Sequence, residues 1–246
     1  MSALGVHALS KSFGGVQAVS EVSFSVEPGE RRVLIGPNGA GKTTLFHAVS
    51  GAQLPSSGRV TLFGRDITRL APHARARLGL ARTFQITNLF SRLSALENVL
   101  LAVAAAARVG FALVRPMSAY RPLHERAARL LEDCGLAQSA ARPVRHLSYG
   151  EQRQLELALA LAGSPRLLLL DEPTAGLSAA ETARVVAMVR GLPREMTILM
   201  IEHDMDVAFE LADRITVLHQ GRVVAEGDRA AIRADPQVAE IYLGVE

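Results

Sequence analysis

Eight consecutive residues, Gly36-Pro37-Asn38-Gly39-Ala40-Gly41-Lys42-Thr43, carry the clearest chemistry in the chain: two glycines flank four residues and are followed by Lys and Thr. Glycines there let the backbone curl until successive N–H groups point inward at phosphate oxygens, and a helix beginning at Lys42 adds its positive end to the same field. Lys42 is placed to bridge β- and γ-phosphates, Thr43 to offer its hydroxyl to Mg²⁺, and Thr44 to donate to an α-phosphate. The pattern predicts a polyphosphate site.

Three further groups fit the same chemistry. Asp171-Glu172 follows four leucines, so both carboxylates leave the carboxyl end of a buried strand, where α/β sheets place ligands. Asp171 suits Mg²⁺ and Glu172 suits a general base; the plain alternative is a pair of acids capping a helix. His203 follows a second apolar strand, Thr197 to Ile201, and stands as a catalytic candidate by that position. Leu147-Ser148-Tyr149-Gly150-Glu151 opens a helix in which Ser148 and Glu151 have capping-box spacing. Capping does not account for Gly150, which weakens a first turn yet lets a phosphate approach its N–H groups. The chain thus offers two anion half-sites more than a hundred residues apart. Cys134 and the remaining histidines read as packing or surface residues.

The elements that must position these groups alternate. Val33–Ile35, Leu167–Leu170 and Met196–Ile201 are continuous apolar strands, each followed by a turn and a helical stretch, Lys42–Ser50, Ser178–Arg190 and Met205–Ala212 respectively. Such a rhythm predicts an α/β fold with a parallel sheet covered on both faces. Val22–Val26 and Arg59–Phe63 alternate instead and predict a small antiparallel β subdomain. From Ser94 to Ala162 the periodicity is helical only, with an Ala-rich stretch at 99–107, a helix from His124 to Cys134 and another from Ser148. The expected organisation is one domain, with 1–86 and 158–246 forming the β subdomain and α/β core and 87–157 a helical insert.

Composition excludes several classes. With 246 residues, 49% apolar and 21% charged, the chain is long enough for a full core and far from disordered or fibrous composition. One cysteine excludes an intrachain disulfide and a Cys-based zinc site. No apolar run reaches the length of a membrane span, and the start, Met1–Gly5, lacks a basic segment followed by an apolar one, so a cytoplasmic protein is expected. Lys occurs only at 11 and 42, leaving 25 of the 27 basic residues as Arg, scattered among acids; with net charge +3 and no run of like charge, no nucleic-acid partner is expected.

The phosphate loop, the Leu-Ser-x-Gly-Glu helix start, the Leu-Leu-Leu-Leu-Asp-Glu-Pro strand end and the later His, in this order, resemble the nucleotide-binding subunit of an ATP-binding cassette (ABC) transporter over essentially the whole chain. The resemblance implies a P-loop NTPase (RecA-like) core and ATP and Mg²⁺ as ligands. It also implies two cassettes packed head to tail, with Ser148 and Gly150 acting on nucleotide held by the partner. It makes Phe13, in Lys11-Ser12-Phe13-Gly14, the aromatic that stacks on adenine, and Gln85 a residue of the catalytic and metal site that couples nucleotide to the membrane partner. Ile86–Phe90, just after it, is the segment expected to receive a helix from a transmembrane subunit. Two positions depart from the family pattern: Tyr149 stands where a second glycine is common, and Ser178 where an acid is usual.

Gly79–Gln85, Ile201–Met205 and Asp235–Gly244 are similar, more narrowly, to the ATP-binding subunits of branched-chain amino-acid importers. The implied partners are transmembrane permease subunits, a second ABC ATPase subunit as homodimer or heterodimer and, indirectly, an extracellular or periplasmic solute-binding protein. The implied place is the cytoplasmic face of the membrane. Related importers carry urea or short amides with similar cassettes. A soluble ABC ATPase of DNA repair or the ribosome fits less well, because the chain has neither a second cassette nor a long coiled-coil insert.

Overall fold

Alternation and continuous burial separate two kinds of sheet. The computed structural model describes residues 1–83, 89–107 and 120–243. In it β1 (Leu4–Phe13) lies between β2 (Val16–Val26) and β4 (Ser57–Leu62), with the short β5 (Arg65–Asp66) beyond β4, in an antiparallel sheet. From Val22 onward β2 buries every second residue, as its pattern predicts. The two alternating segments do not pair with each other, however; both pair with β1. That strand is hard to read because a bulge interrupts it: Leu4 and Val6 are buried, then the buried position slips to Leu9 across Ala8, whose φ is +44°.

The second sheet runs β10-β9-β3-β8-β7-β6, built from β3 (Arg31–Ile35), β6 (Leu80–Arg82), β7 (Leu167–Asp171), β8 (Thr197–Ile201), β9 (Arg214–His219) and β10 (Arg222–Gly227). All pairs are parallel except β9 with β10. Every residue of β3, β7 and β8 is buried, which is why these segments lack alternation. One core joins Leu4, Val22 and Leu62 of the first sheet to Leu34, Leu169, Leu199 and Ile201 of the second, with Leu45, Phe46 and Val49 of helix α1 (Lys42–Ser50).

The C-terminal end of α1 is held by an arginine. Arg75, on α2 (Pro72–Arg77), is fully buried and donates to the carbonyls of Ala48, Val49, Thr68 and Leu70 at 2.7–2.9 Å. Two of these bonds bring donors to the carboxyl end of α1, where the Ala48 carbonyl also accepts from Gly51 N–H, and the other two hold the 68–70 segment against it. Burial lowers the guanidinium pKa to about 10, so it stays charged at neutral pH.

By packing, the chain divides into Met1–Arg82, Arg166–Ala175 and Leu192–Glu246 as one unit, and Thr83–Pro165 with Gly176–Gly191 as another. Both sheets belong to the first, with α7 (Met205–Leu211), α8 (Arg229–Ala234) and α9 (Pro236–Leu243). The second is helical: α3 (Ala95–Ala106), α4 (Arg121–Asp133), α5 (Tyr149–Leu161) and α6 (Ala179–Gly191). It is larger than the 87–157 insert drawn from sequence, because 158–165 and 176–191 pack with it. No helix among the described residues is long and apolar enough to cross a membrane.

Candidate nucleotide site

Register brings the candidate residues of the first unit together. Leu34 of β3 pairs with Ile201 of β8, and Ile201 with Asp171 of β7, so the three strands end level. The loop starting at Gly36, the turn at Glu172 and the segment at His203 therefore leave the same edge of the sheet side by side, as ligand-binding α/β sheets do.

The phosphate loop is shaped by close backbone approach. Gly36 has φ +150°, and a Cβ there would lie 2.1 Å from the Leu218 carbonyl oxygen; Gly41, at φ +98° just before α1, would meet the Ala18 carbonyl at 2.3 Å. No other residue type fits either position. Lys42 is buried, and its Nζ donates to the carbonyls of Gly36 at 2.6 Å and Pro37 at 3.0 Å. Burial holds this ammonium below the ordinary lysine range, with Glu172 acting in the opposite direction. A cation short of solvation at the mouth of a backbone loop is poised to gain from a phosphate. Thr43 and Thr44 follow in the first turn of α1, half-buried.

Glu172 has φ +50°, a conformation a side chain of this kind adopts at a cost of about 1–3 kcal/mol. Its N–H donates to the Ile201 carbonyl at 3.1 Å and its carbonyl accepts from Ala175 N–H at 3.1 Å, which locks the turn. The turn aims the carboxylate at His203, whose Nε2 lies 2.6 Å from Glu172 Oε1. A carboxylate and an imidazole in contact beside a buried lysine form a unit able to orient a water and take its proton. Asp171 is 1% exposed and paired with Arg82, Nη2 to Oδ2 at 2.7 Å, while Arg82 Nη1 donates to Ser50 Oγ at 2.9 Å. Arg82 stood out in the sequence only as part of Gly79–Gln85, not as the partner of Asp171, and the turn geometry of Glu172 was not legible there.

Among the described residues no group of three His, Cys, Asp or Glu could hold a metal ion. The donor set is of another kind: one carboxylate, Asp171, and one hydroxyl, Thr43, both hard oxygens, with the remaining ligands left to phosphates and water, as Mg²⁺ prefers. Gln85 and residues 86–88 lie outside the described residues. Phe13 ends β1, is 46% exposed and has Lys11 Nζ 5.1 Å from its ring centroid, so it is no core aromatic. Cys134 is buried and its thiol pushed up to about 12, which makes it inert packing.

In the helical unit, Ser148 caps α5. Its Oγ accepts from Glu151 N–H at 3.2 Å, and Glu151 Oε2 accepts from Ser148 N–H at 2.8 Å. The structure supplies a second reason for Gly150, because a Cβ there would lie 2.5 Å from Glu181 Oε1. Glu181 accepts from Ser178 Oγ at 2.7 Å and Ser178 N–H at 3.0 Å, and these bonds hold its carboxyl below the usual range, aided by Gly150 N–H. Ser178 thus gives both of its donors to the Glu181 carboxylate just before α6, which an acid at this position could not do with its side chain. Tyr149 accepts from Arg153 Nη2 at 2.6 Å and packs beside Gly176. Farther along the unit, Phe90 is 61% exposed, while its backbone is pinned to the Asn98 amide at 2.9 and 3.2 Å.

Residues 19–175 match the ABC transporter family, and residues 222–246 match the family described as branched-chain amino acid ATP-binding cassette transporter. Over 98% of its length the chain is 40% identical to the high-affinity branched-chain amino acid transport ATP-binding protein BraF of Pseudomonas aeruginosa, covering 97% of that protein. Among solved structures it is similar to the ADP conformation of an ATP-binding cassette of an ABC transporter, with TM-score 0.86 and 30% identity over 99% of each chain. It is also similar to a dimeric post-hydrolysis cassette bound to ADP and Pi, with TM-score 0.79 and 25% identity over 92% of this chain and 98% of that one. A phosphate loop with a buried lysine, a carboxylate and imidazole in contact at the level ends of three parallel strands, and these matches have one reading: the chain belongs to the ABC transporter family, as one of its ATP-hydrolysing cassettes.

Proposed function

We propose that the chain is the motor of an importer for branched-chain amino acids, seated at the cytoplasmic face of a membrane against two permease subunits and paired with a second cassette. The observation that carries the catalytic part is the contact of Glu172 with His203 beside Lys42. ATP lies along the phosphate loop from Gly36 to Thr43, with Lys42 between the β- and γ-phosphates, Thr44 near the α-phosphate, the backbone N–H groups of Asn38, Gly39, Ala40 and Gly41 facing phosphate oxygens, Pro37 shaping the turn without a donor of its own, and adenine against Phe13. Glu172 orients the attacking water and takes its proton, while His203 holds the carboxylate and faces the γ-phosphate. Mg²⁺, when bound, would be held by Thr43, Asp171 and Gln85 and would neutralise charge on the phosphates.

Ser148 and Gly150 complete the site of the partner cassette. What supports this is that α5 presents a capped N-terminus with no lysine or phosphate loop in its own unit. Closure of the pair on ATP and reopening after hydrolysis is a rigid-body switch of the kind that moves attached subunits. The exposed Phe90, after Gln85, supports a docking surface for a permease helix on this segment.

Mixing tests the composite site. A Lys42→Ala chain and a Ser148→Arg chain are each expected to have no intact site, and together to regain at most one per dimer. Full activity of Ser148→Arg alone sinks the partner role of α5. Uptake by the reconstituted transporter, measured with labelled leucine and labelled urea in parallel, tests the cargo; urea uptake without leucine uptake overturns the amino-acid reading.

A further inference from the structure

A contact of 2.6 Å between Glu172 and His203 demands that two separate loops stay in register, and both lie beyond the ends of their strands. One side chain reaches both. Glu202 is 2% exposed, and its Oε1 accepts from Thr174 Oγ1 at 2.9 Å and from Thr174 N–H at 3.4 Å, while its Oε2 accepts from His203 N–H at 3.3 Å. Its own N–H donates to the Leu34 carbonyl at 3.2 Å, two residues before the phosphate loop begins. Thr174 lies two residues beyond Glu172 in the same turn and is itself buried.

We propose that Glu202 is a positioning residue of the ATPase reaction: it braces the Glu172 turn against the His203 segment without touching nucleotide. The proposal rests on the reading of Glu172 as the base. A carboxylate is a poor choice if this space needed only filling, since burying it is unfavourable unless its oxygens are bonded. Burial raises the Glu202 carboxyl to about 7 against the opposing bonds from Thr174 and His203, with nearby Asp204 adding to the rise. An aliphatic residue would fill the volume without that penalty. What it could not do is accept hydrogen bonds on two oxygens from two loops at once, and this is what sets the spacing of the base and its imidazole.

The test uses the full-length chain and steady-state ATPase assays. Glu202→Gln and Thr174→Val are expected to lower kcat by roughly 10- to 100-fold, the scale on which small misplacements of catalytic groups act, with KM for ATP within about twofold of the parent. Thr174→Ser, which restores the hydroxyl, should return kcat to within about threefold of the parent. In a Glu172→Gln background the same changes should lower the residual rate by less than about twofold, because a brace acts only through the groups it positions. Melting temperature and binding of a fluorescent ATP analogue establish that each variant is folded, and Thr174→Val carries the test should Glu202→Gln fail to fold. An unchanged kcat, a rise in KM alone, or Thr174→Ser as slow as Thr174→Val overturns the proposal. If Glu172→Gln itself hydrolyses ATP at the parent rate, the base assignment fails; if it is slow while the Glu202 and Thr174 variants are not, the brace alone is wrong.

Discussion

The phosphate-loop region and the N-terminus of α5 are both built to meet an anion, yet they are constructed differently. In the first, the chemical groups are withdrawn from water: Lys42, Asp171 and Glu202 are 5% exposed or less, Lys42 bonded to carbonyls of the phosphate loop, Asp171 to Arg82 of β6 and Glu202 to Thr174 in the turn after β7. In the second, Ser148 and Glu151 satisfy each other within one helical turn, and Glu181 and Ser178 do the same in the next element. The first region invests in desolvated charge, which makes an arriving phosphate or a moving proton matter more. The second keeps its polar groups bonded near the surface, with the Glu151 carboxylate also held by Ser139 and Arg142 and the Glu181 carboxylate by Ser178. A site of the first kind can do chemistry; one of the second kind can only contribute to chemistry held elsewhere.

This contrast is broken or sharpened most strongly at Glu172. Glu172→Gln keeps the shape and removes the base, so hydrolysis should fall by roughly 10²–10⁴ while ATP affinity is retained. Phosphate release under saturating ATP reads the first quantity and equilibrium binding the second; a near-parent rate would mean that the contact with His203 is structural.

Next in size is a dependence of stability on pH. The Glu202 carboxyl is raised from 4.5 to about 7, chiefly by burial, so between these values the folded chain retains a proton that the unfolded chain releases. Its contribution is complete below about pH 4.5 and is lost as pH rises through 7, amounting to as much as about 3 kcal/mol. Urea unfolding at a series of pH values should show that decline in the parent, and Glu202→Gln should flatten it by the same amount. Equal slopes in the two proteins would remove the claim that the first region holds its acids against solvation.

Lys42→Ala sharpens the comparison at the level of binding. Loss of a charge-assisted contact to the phosphates should weaken ATP by about 2 kcal/mol, roughly 30-fold in Kd, which isothermal titration resolves. The smallest effect belongs to the second region: Ser148→Ala should lower folding stability by about 1 kcal/mol through the lost cap, without altering the affinity of an isolated chain for ATP. A drop in that affinity would show the two regions to be less separate than their bonding makes them.

Much of this could be read before folding was considered. The phosphate loop, Asp171-Glu172, His203 and the Ser148 cap were legible because each follows from residue types at fixed short spacing, and the strands Val33–Ile35, Leu167–Leu170 and Thr197–Ile201 because burial on both faces forbids alternation. What escaped depends on residues distant in sequence. β1 was hidden by the bulge at Ala8, which breaks the period of two. Arg75 and Arg82 look like surface arginines until folding brings the end of α1 and the carboxylate of Asp171 to them. Gly150 carried a signal, but its steric partner, Glu181, lies 31 positions on and could be found only in the fold.

By itself, then, the order of residues determined which groups exist to handle phosphate and on which kind of element each one sits, because helix starts, strand ends and glycine turns are local matters of hydrogen bonding and backbone sterics. Only the tertiary structure decided that Leu34, Ile201 and Asp171 end in one row, that Glu172 meets His203, and that one buried carboxylate, Glu202, serves both loops. Those facts depend on the register of parallel strands joined by long connections, and register is set by packing across the whole sheet, which no short stretch of sequence contains.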